Sequence, residues 1–294
     1  IALHVVLRSG DRPSGLVGGF MVAAAILSMW ISNTATAIMM VPIALTVAAT
    51  IASSHRDDGG FATALLLGIA FACSIGGLGT YIGTPTNLLV KEAIEASTGR
   101  TITFLDWMML GLPAVVVLVP LAWLVLTRLA FRIDGIGKGG AHAQIERRLS
   151  DLGTLSPPER RVLAIFALVA LLWVFGIPLT QVELLGVRPF AGLNDQVSAL
   201  IGVVLCFVVP AGSRSEPDAR LLDWRTAEAI PWGVILLFGG GMALAGFIRS
   251  TGLGDWIGGE LEFVAALPLV VLVLLVTAAV IFATEVTSNV ATAA

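Results

Sequence analysis

The feature that most constrains this chain is a long uncharged segment with a polar interruption inside it. No charged residue occurs between Pro13 and Ser54, yet the segment contains the tripeptide Ser32-Asn33-Thr34. A chain crossing the hydrocarbon core of a bilayer must satisfy its backbone hydrogen bonds internally, which favours helices. Irregular backbone at that depth is tolerated only where it is buried in protein or lines a wet cavity. The segment therefore predicts interrupted helices, with a candidate site at the interruption.

Composition assigns the rest of the chain to the same class. Hydrophobic residues make up 57% of the sequence and charged residues 13%, compared with about 45–50% and about 25% in soluble domains. We expect an all-α, multi-pass integral membrane protein that contacts the lipid bilayer, in the inner or plasma membrane of the cell. The net charge of -3 provides no basic surface for nucleic acid. Cys73 and Cys206 lie in apolar runs, which argues against a disulfide framework and a zinc site.

Further apolar runs approach the length of about 20 residues that a helix needs to cross a bilayer. The sequence predicts membrane helices over 107–128, 162–179, 196–213 and 229–248. A second interrupted region covers 61–90, and a last apolar run begins at residue 263. The chain starts at Ile1 and stops inside a polar motif, so 1–294 is interpreted as a fragment of one larger membrane domain.

The second interruption, GTPTN, has the residues that start a helix. Thr84 can cap the helix and Pro85 suits its first position, so a half-helix is expected from there onward. Ser32-Asn33-Thr34 is similarly placed to cap the helix that follows it, and two such N-termini can converge on one anion. Two alternatives remain open at this point. Glycines near the interruption also serve helix packing, and the Ser-Asn-Thr turn also suits a hairpin tip outside the membrane.

The end of the chain repeats the first polar motif. SMWISNTATA at 28–37 aligns with TEVTSNVATA at 284–293, and a hydroxyl stands four residues before the serine in both copies. Four residues correspond to about one helical turn, so the two hydroxyls of each copy share a face. Internal repeats with interrupted segments in corresponding places indicate a transporter site at the bilayer midplane.

These motifs resemble the divalent anion/sodium symporters, and in particular their sodium-coupled dicarboxylate transporters. The resemblance rests on the paired Ser-Asn motifs, on SIGGLGTYIGTPTNLLV at 74–90 and on IPWGVILLFGGGMALAGFIRSTGLGDWIG at 230–258. It implies a homodimeric inverted-repeat transporter whose transport part moves like an elevator. It also implies re-entrant hairpins at 13–54 and, in part, at 263–294, and a broken helix at 61–90.

The family's functional residues carry over onto the matching positions. The Ser and Asn of the first tip serve both sodium and a substrate carboxylate, since an asparagine offers an amide oxygen to a hard cation and an NH2 group to an anion. The implied first sodium site consists of Ser28, Ser32, Asn33 and the backbone near Gly79 and Gly83. The implied second sodium site consists of Thr284, Thr287 and Asn289. The implied substrate site consists of Ser32, Asn33, Thr34, Thr84, Pro85, Ser288, Asn289 and Val290.

The resemblance implies symport of sodium with a divalent carboxylate such as succinate or another C4-dicarboxylate. Sodium is then a co-transported ion, and no organic cofactor is expected. Val290 lacks the hydroxyl of Thr34, so the two tips should hold the substrate unequally. Two alternatives stay open: a related sulfate or citrate carrier or sodium-independent anion exchanger, and a membrane enzyme using buried hydroxyls and Glu285. The enzyme is the weaker alternative because the sequence contains no HExxH motif and no recognisable Ser-His-Asp set.

Overall fold

The computed structural model describes residues 2–10, 12–54, 60–131, 133, 141–183, 187–212, 218–230, 232–253, 256, 259 and 267–286. Within these ranges the regular structure is helical, and a single β-bridge joins Pro210 and Arg220. The helices are α1 (Ala2–Arg8), α2 (Pro13–Ser28), α3 (Asn33–Ser54), α4 (Gly60–Gly77), α5 (Pro85–Thr98), α6 (Phe104–Leu124), α7 (Ala141–Leu152), α8 (Pro157–Thr180), α9 (Asp195–Val208), α10 (Trp224–Ala227), α11 (Trp232–Ser250) and α12 (Leu269–Val286). A π-helical turn, Val125–Ala130, extends α6.

The protein is an all-α polytopic membrane protein, as the sequence predicts. In the described ranges, four helical stretches are long and apolar enough to cross a bilayer: Asn33–Ile51, Gly60–Gly77, Phe104–Ala130 and Leu269–Val286. The chain divides into two compact units. The first contains Ile1–Thr84 and Thr101–Glu228, and the second contains Pro85–Arg100 and Ala229–Ala294.

The core of the first unit forms where α2 and α3 pack on α4. The largest fully buried side chains include Phe20, Phe61 and Phe104. Small residues bring the two backbones together at the end of α4, because a Cβ on Gly76 would lie 2.5 Å from the Cα of Ala25. Such close approach gives van der Waals contact, which matters in lipid because burial between helices adds little hydrophobic driving force.

Two chain interruptions meet the end of this packed region. Met29–Ser32 separates α2 from α3, and residues 78–84 separate α4 from α5. Ser32 caps α3, since the backbone N–H of Ala35 donates to Ser32 Oγ at 3.3 Å. Pro85 is the first residue of α5, where its missing N–H costs no helical hydrogen bond. Re-entry of 13–54 into the membrane stays a prediction.

Two of the helix boundaries that differ from the hydropathy prediction have a clear local cause. The helix expected over 196–213 ends at Val208, because Pro210 has no N–H and Val209 is already extended. The helix expected from residue 107 begins at Phe104, because Thr103 and Asp106 form a capping box. In that box Thr103 N donates to Asp106 Oδ2 at 3.0 Å and Asp106 N donates to Thr103 Oγ1 at 3.2 Å. A proline at one boundary and a capping box at the other thus override the apolar pattern.

Replacing Gly76 with alanine should destabilise the protein by about 1–3 kcal/mol, the usual cost of overpacking. The added methyl group would meet the backbone of Ala25, which has no rotamer by which to retreat. The expected result is a lower Tm of the detergent-solubilised protein. The matched control is Gly176→Ala in α8, where an added Cβ meets nothing within 4 Å. Equal Tm values for the two variants would contradict close α2–α4 packing.

Candidate functional site

Three oxygen atoms meet where α2 ends. The Ser28 Oγ donates to Asn33 Oδ1 at 2.6 Å and to the Cys73 carbonyl oxygen at 2.8 Å. Ser28 is fully buried, with 0% of its surface exposed. A hydroxyl carries one hydrogen, so a single proton is shared among three oxygens and several lone pairs remain available. We call Ser28, Asn33 and Cys73 the oxygen cluster.

Glycines make room for this cluster. A Cβ on Gly77 would lie 2.8 Å from Asn33 Oδ1, so the Asn33 amide lies directly against the last residue of α4. A Cβ on Gly83 would lie 2.5 Å from the Gly77 carbonyl oxygen and 3.0 Å from the Ser28 carbonyl oxygen. The 78–84 segment therefore returns to the oxygen cluster at Gly83. The structure thus brings together three residues of the implied first sodium site: Ser28, Asn33 and Gly83.

The other residues predicted for the first sodium site and the substrate site have different surroundings. Gly79 faces the Met29 side chain, whose Cε lies 2.8 Å from a Cβ added there. Ser32 and Thr34 are exposed at the N-terminus of α3. Thr84 is half-buried at the end of the 78–84 segment, and Pro85 opens α5 in the second unit.

The second motif is described only at its first three residues, 284–286. Thr284 lies in α12, and its Oγ1 donates to the Ile281 carbonyl oxygen at 2.8 Å. Thr287, Ser288, Asn289 and Val290 lie outside the described residues. Their assigned roles therefore stay predictions.

The 78–84 segment is held in place by side chains from separate elements. The buried Thr80 Oγ1 donates to the Met29 carbonyl oxygen at 2.5 Å, which ties this segment to the α2–α3 turn. Trp107 in α6 donates its Nε1 hydrogen to the Leu78 carbonyl oxygen at 3.0 Å. Gly111, one turn further along α6, lies against the same carbonyl. The hydrogen-bonding groups of this irregular backbone are thus partly satisfied by other parts of the protein.

A third contact connects this segment to α9. Tyr81 is 4% exposed, and its Oη donates to Asp195 Oδ2 at 2.5 Å. The Asp195 carbonyl oxygen accepts from Trp173 Nε1 at 3.0 Å. Phe104 lies between the two rings, with its centroid 5.1 Å from Tyr81 and 5.1 Å from Trp173. A hydrogen bond and an aromatic cluster therefore join the 78–84 segment to α8 and α9.

Sequence reasoning missed Tyr81, Trp173 and Asp195. Tyr81 is the one tyrosine in the sequence and lies inside the motif at 74–90, which was a signal that it has a specific partner. No pattern pointed to Asp195, because 114 positions separate it from Tyr81. A contact over that distance follows from tertiary packing.

The donor set of the site determines which ligands it suits. No group of three or more His, Cys, Asp or Glu side chains able to hold a metal occurs among the described residues. Hydroxyl, amide and carbonyl oxygens remain, and these are the ligands of hard cations such as alkali and alkaline-earth ions. The exposed hydroxyls of Ser32 and Thr34 lie at the N-terminus of α3 and can donate to an anion. Helix N-termini favour anions in general, because their first backbone N–H groups lack partners within the helix.

Comparison with known proteins gives two consistent findings. The sequence model of the citrate transporter family, CitMHS, matches residues 1–294. The sodium-dependent dicarboxylate transporter SdcS of Staphylococcus saprophyticus is 37% identical over 300 residues, covering 100% of this chain and 57% of that protein. The protein of the same name from Staphylococcus aureus is 37% identical over 302 residues, covering 100% of this chain and 56% of that protein. The chain thus spans about half the length of these curated relatives.

A double-mutant cycle tests the contact between Tyr81 and Asp195. Tyr81→Phe and Asp195→Ala should each lower the free energy of unfolding, and the double variant should lose less than the sum. We expect a coupling of about 1.5 kcal/mol, the lower value for a hydrogen bond to a charged group, because Asp195 is only half-buried. The control pairs Tyr81→Phe with Asp151→Ala on α7, where effects should add. Additive effects in the first pair would rule the contact out.

Proposed function

This chain belongs to the citrate transporter family, which confirms its resemblance to the divalent anion/sodium symporters, and on that premise we propose sodium-coupled symport of a C4-dicarboxylate such as succinate. The observation that carries the proposal is the oxygen cluster beside two interrupted helices. The names of its relatives support the same coupling, since both are sodium-dependent dicarboxylate transporters. In this proposal the transporter lies in the plasma membrane.

Sodium is assigned to the oxygen cluster. A hard cation replaces its hydration shell with protein oxygens, and the Ser28 Oγ has Asn33 Oδ1 and the Cys73 carbonyl oxygen within hydrogen-bond distance. The Gly83 backbone approaches the same place and adds peptide carbonyls nearby. Ser32 and the Gly79 backbone complete the proposed site.

The substrate carboxylate is assigned to the N-terminus of α3. Ser32 and Thr34 are exposed there, and the positive end of the α3 helix dipole favours negative charge. Asn33 connects the two ligands in this proposal. Its Oδ1 accepts from Ser28, while in the part of the chain that the structure describes its Nδ2 donates to no partner. One amide can therefore present oxygen to sodium and hydrogen to a carboxylate.

The remaining elements of the transport cycle belong to the same proposal. Thr84 and Pro85 border the substrate, and Ser288, Asn289 and Val290 contact it from the second tip. Thr284, Thr287 and Asn289 bind a second sodium ion. The Thr284 Oγ1 uses its hydrogen within α12, which leaves its lone pairs free for a cation. A homodimer with re-entrant hairpins and an elevator-like movement completes the proposed mechanism.

Uptake of labelled succinate by proteoliposomes tests the proposed function. An inward sodium gradient should drive accumulation above equilibrium, and its replacement by choline should abolish accumulation. Accumulation that is independent of sodium would favour an anion exchanger, and competition by sulfate or citrate alone would favour a related carrier. Chemical turnover of succinate without accumulation would indicate an enzyme.

Asn33→Ala should weaken sodium activation and succinate affinity together, because one amide serves both ligands. Each loss should be about tenfold, the scale of a hydrogen bond to a charged group. Sodium activation is measured at saturating succinate, and the KM for succinate at saturating sodium. Thr98→Val is the control, because the Thr98 hydroxyl donates to its own helix at Ile94 and is exposed. Normal sodium activation with only succinate affinity lost would contradict a shared ligand.

A further inference from the structure

Thr36 carries a buried hydroxyl that no part of the proposed mechanism uses. The side chain is 0% exposed. Its Oγ1 has no hydrogen-bond partner, and no other fully buried side-chain oxygen or nitrogen among the described residues shares this condition. Burying a hydroxyl without a partner is unfavourable, so a specific reason is required.

The usual partner of a helical threonine is not used. Threonine in a helix commonly donates to the carbonyl four residues earlier, as Thr46 does to Pro42 at 2.8 Å and Thr50 does to Thr46 at 2.9 Å in the same helix. The corresponding carbonyl for Thr36 is that of Ser32, which accepts the Thr36 backbone N–H at 3.0 Å. The Thr36 hydroxyl does not donate to this carbonyl oxygen.

Thr36 lies next to Asn33 on one face of α3. Asn33 begins a stripe that continues through the buried residues Thr36, Met40 and Ala44 at spacings of three and four. Side chains three residues apart on a helix have Cβ atoms about 5–6 Å from each other. Asn33 is half-buried and Thr36 is fully buried, so the Thr36 hydroxyl is the more deeply buried of these two neighbours.

The internal repeat keeps this hydroxyl. SNTAT at 32–36 aligns with SNVAT at 288–292, so Thr36 corresponds to Thr292. The nearer hydroxyl, Thr34, corresponds to Val290 and is lost. Both copies therefore keep the hydroxyl at the position that is buried in the first copy. Packing alone does not require threonine there, because valine has nearly the same shape.

We propose that Thr36 Oγ1 is a further oxygen ligand of the first cation, on the buried side of the oxygen cluster. The inference deepens the proposed function and rests on it. A hydroxyl can give a lone pair to a cation while its hydrogen turns to the Ser32 carbonyl, which satisfies both groups. A substrate carboxylate is the less suitable ligand, because Thr36 is fully buried whereas the hydroxyls of Ser32 and Thr34 are exposed.

Thr36→Val is the decisive variant because valine keeps the shape and removes the hydroxyl. In choline medium without sodium, the variant should have a Tm equal to or higher than that of the wild type. The rise in Tm on adding sodium chloride should be largely lost. The sodium concentration for half-maximal succinate uptake should increase about tenfold, and KM for succinate at saturating sodium should stay within about twofold of that of the wild type. Thr36→Ser, which keeps the hydroxyl, should retain most of the sodium response.

Thr46→Val is the matched control, since its hydroxyl already has a partner in Pro42 on the same helix. It should leave sodium activation unchanged. A Thr36→Val protein with normal sodium activation would overturn the assignment, as would one that loses only succinate affinity. Failure of Thr36→Val to fold without sodium would also overturn it, because the hydroxyl would then be structural. A wild-type protein without sodium activation would defeat the proposed function itself, which keeps the two failures distinct.

Discussion

The hydrogen bond from Ser28 to the Cys73 carbonyl is the contact on which the rest of the site depends. It joins the last residue of α2 to α4, and it is possible because the two backbones touch at Gly76. With α2 held there, the chain turns at Met29–Ser32 and places Asn33 against Gly77 and within reach of the same serine. A contact between two helix ends thereby fixes the oxygen cluster before any ligand arrives.

The surrounding structure stabilises backbone that a bilayer cannot. The 78–84 segment is not helical, so lipid would leave its peptide groups without partners at a cost of several kcal/mol each. Thr80, Tyr81 and Trp107 connect it to the α2–α3 turn, to α9 and to α6. Hydrogen bonds to three other elements therefore hold this interruption in place on the side facing the protein. Holding a site in place before a ligand binds lowers the entropy cost of binding.

The sequence indicated the interruptions because charge-free runs, proline and hydroxyl residues act locally. Pro85 begins α5 and Ser32 caps α3, and both follow from the preferences of single positions. The meeting of Ser28 and Asn33 was implied by the family resemblance, and only five positions separate the two residues in the sequence. Tyr81 with Asp195, and the orphaned hydroxyl of Thr36, depend on packing between distant segments. No single-sequence pattern records such packing. The early end of α9 has a different cause, since Pro210 is a local signal that hydropathy alone does not register.

The glycine contacts determine how this sequence can change over evolutionary time. At Gly76 and Gly83 any side chain meets backbone atoms, and at Gly77 it meets the Asn33 amide. No larger residue is accommodated there without moving the site. Leu110 and Val116 on α6 are 81% and 64% exposed, so the size of the side chain is not restricted in this way at these positions. Any apolar residue of similar helix propensity suits those positions in lipid. We therefore expect neutral substitutions to accumulate on the outer surface of the helices, while the glycines beside the interruptions tolerate little change.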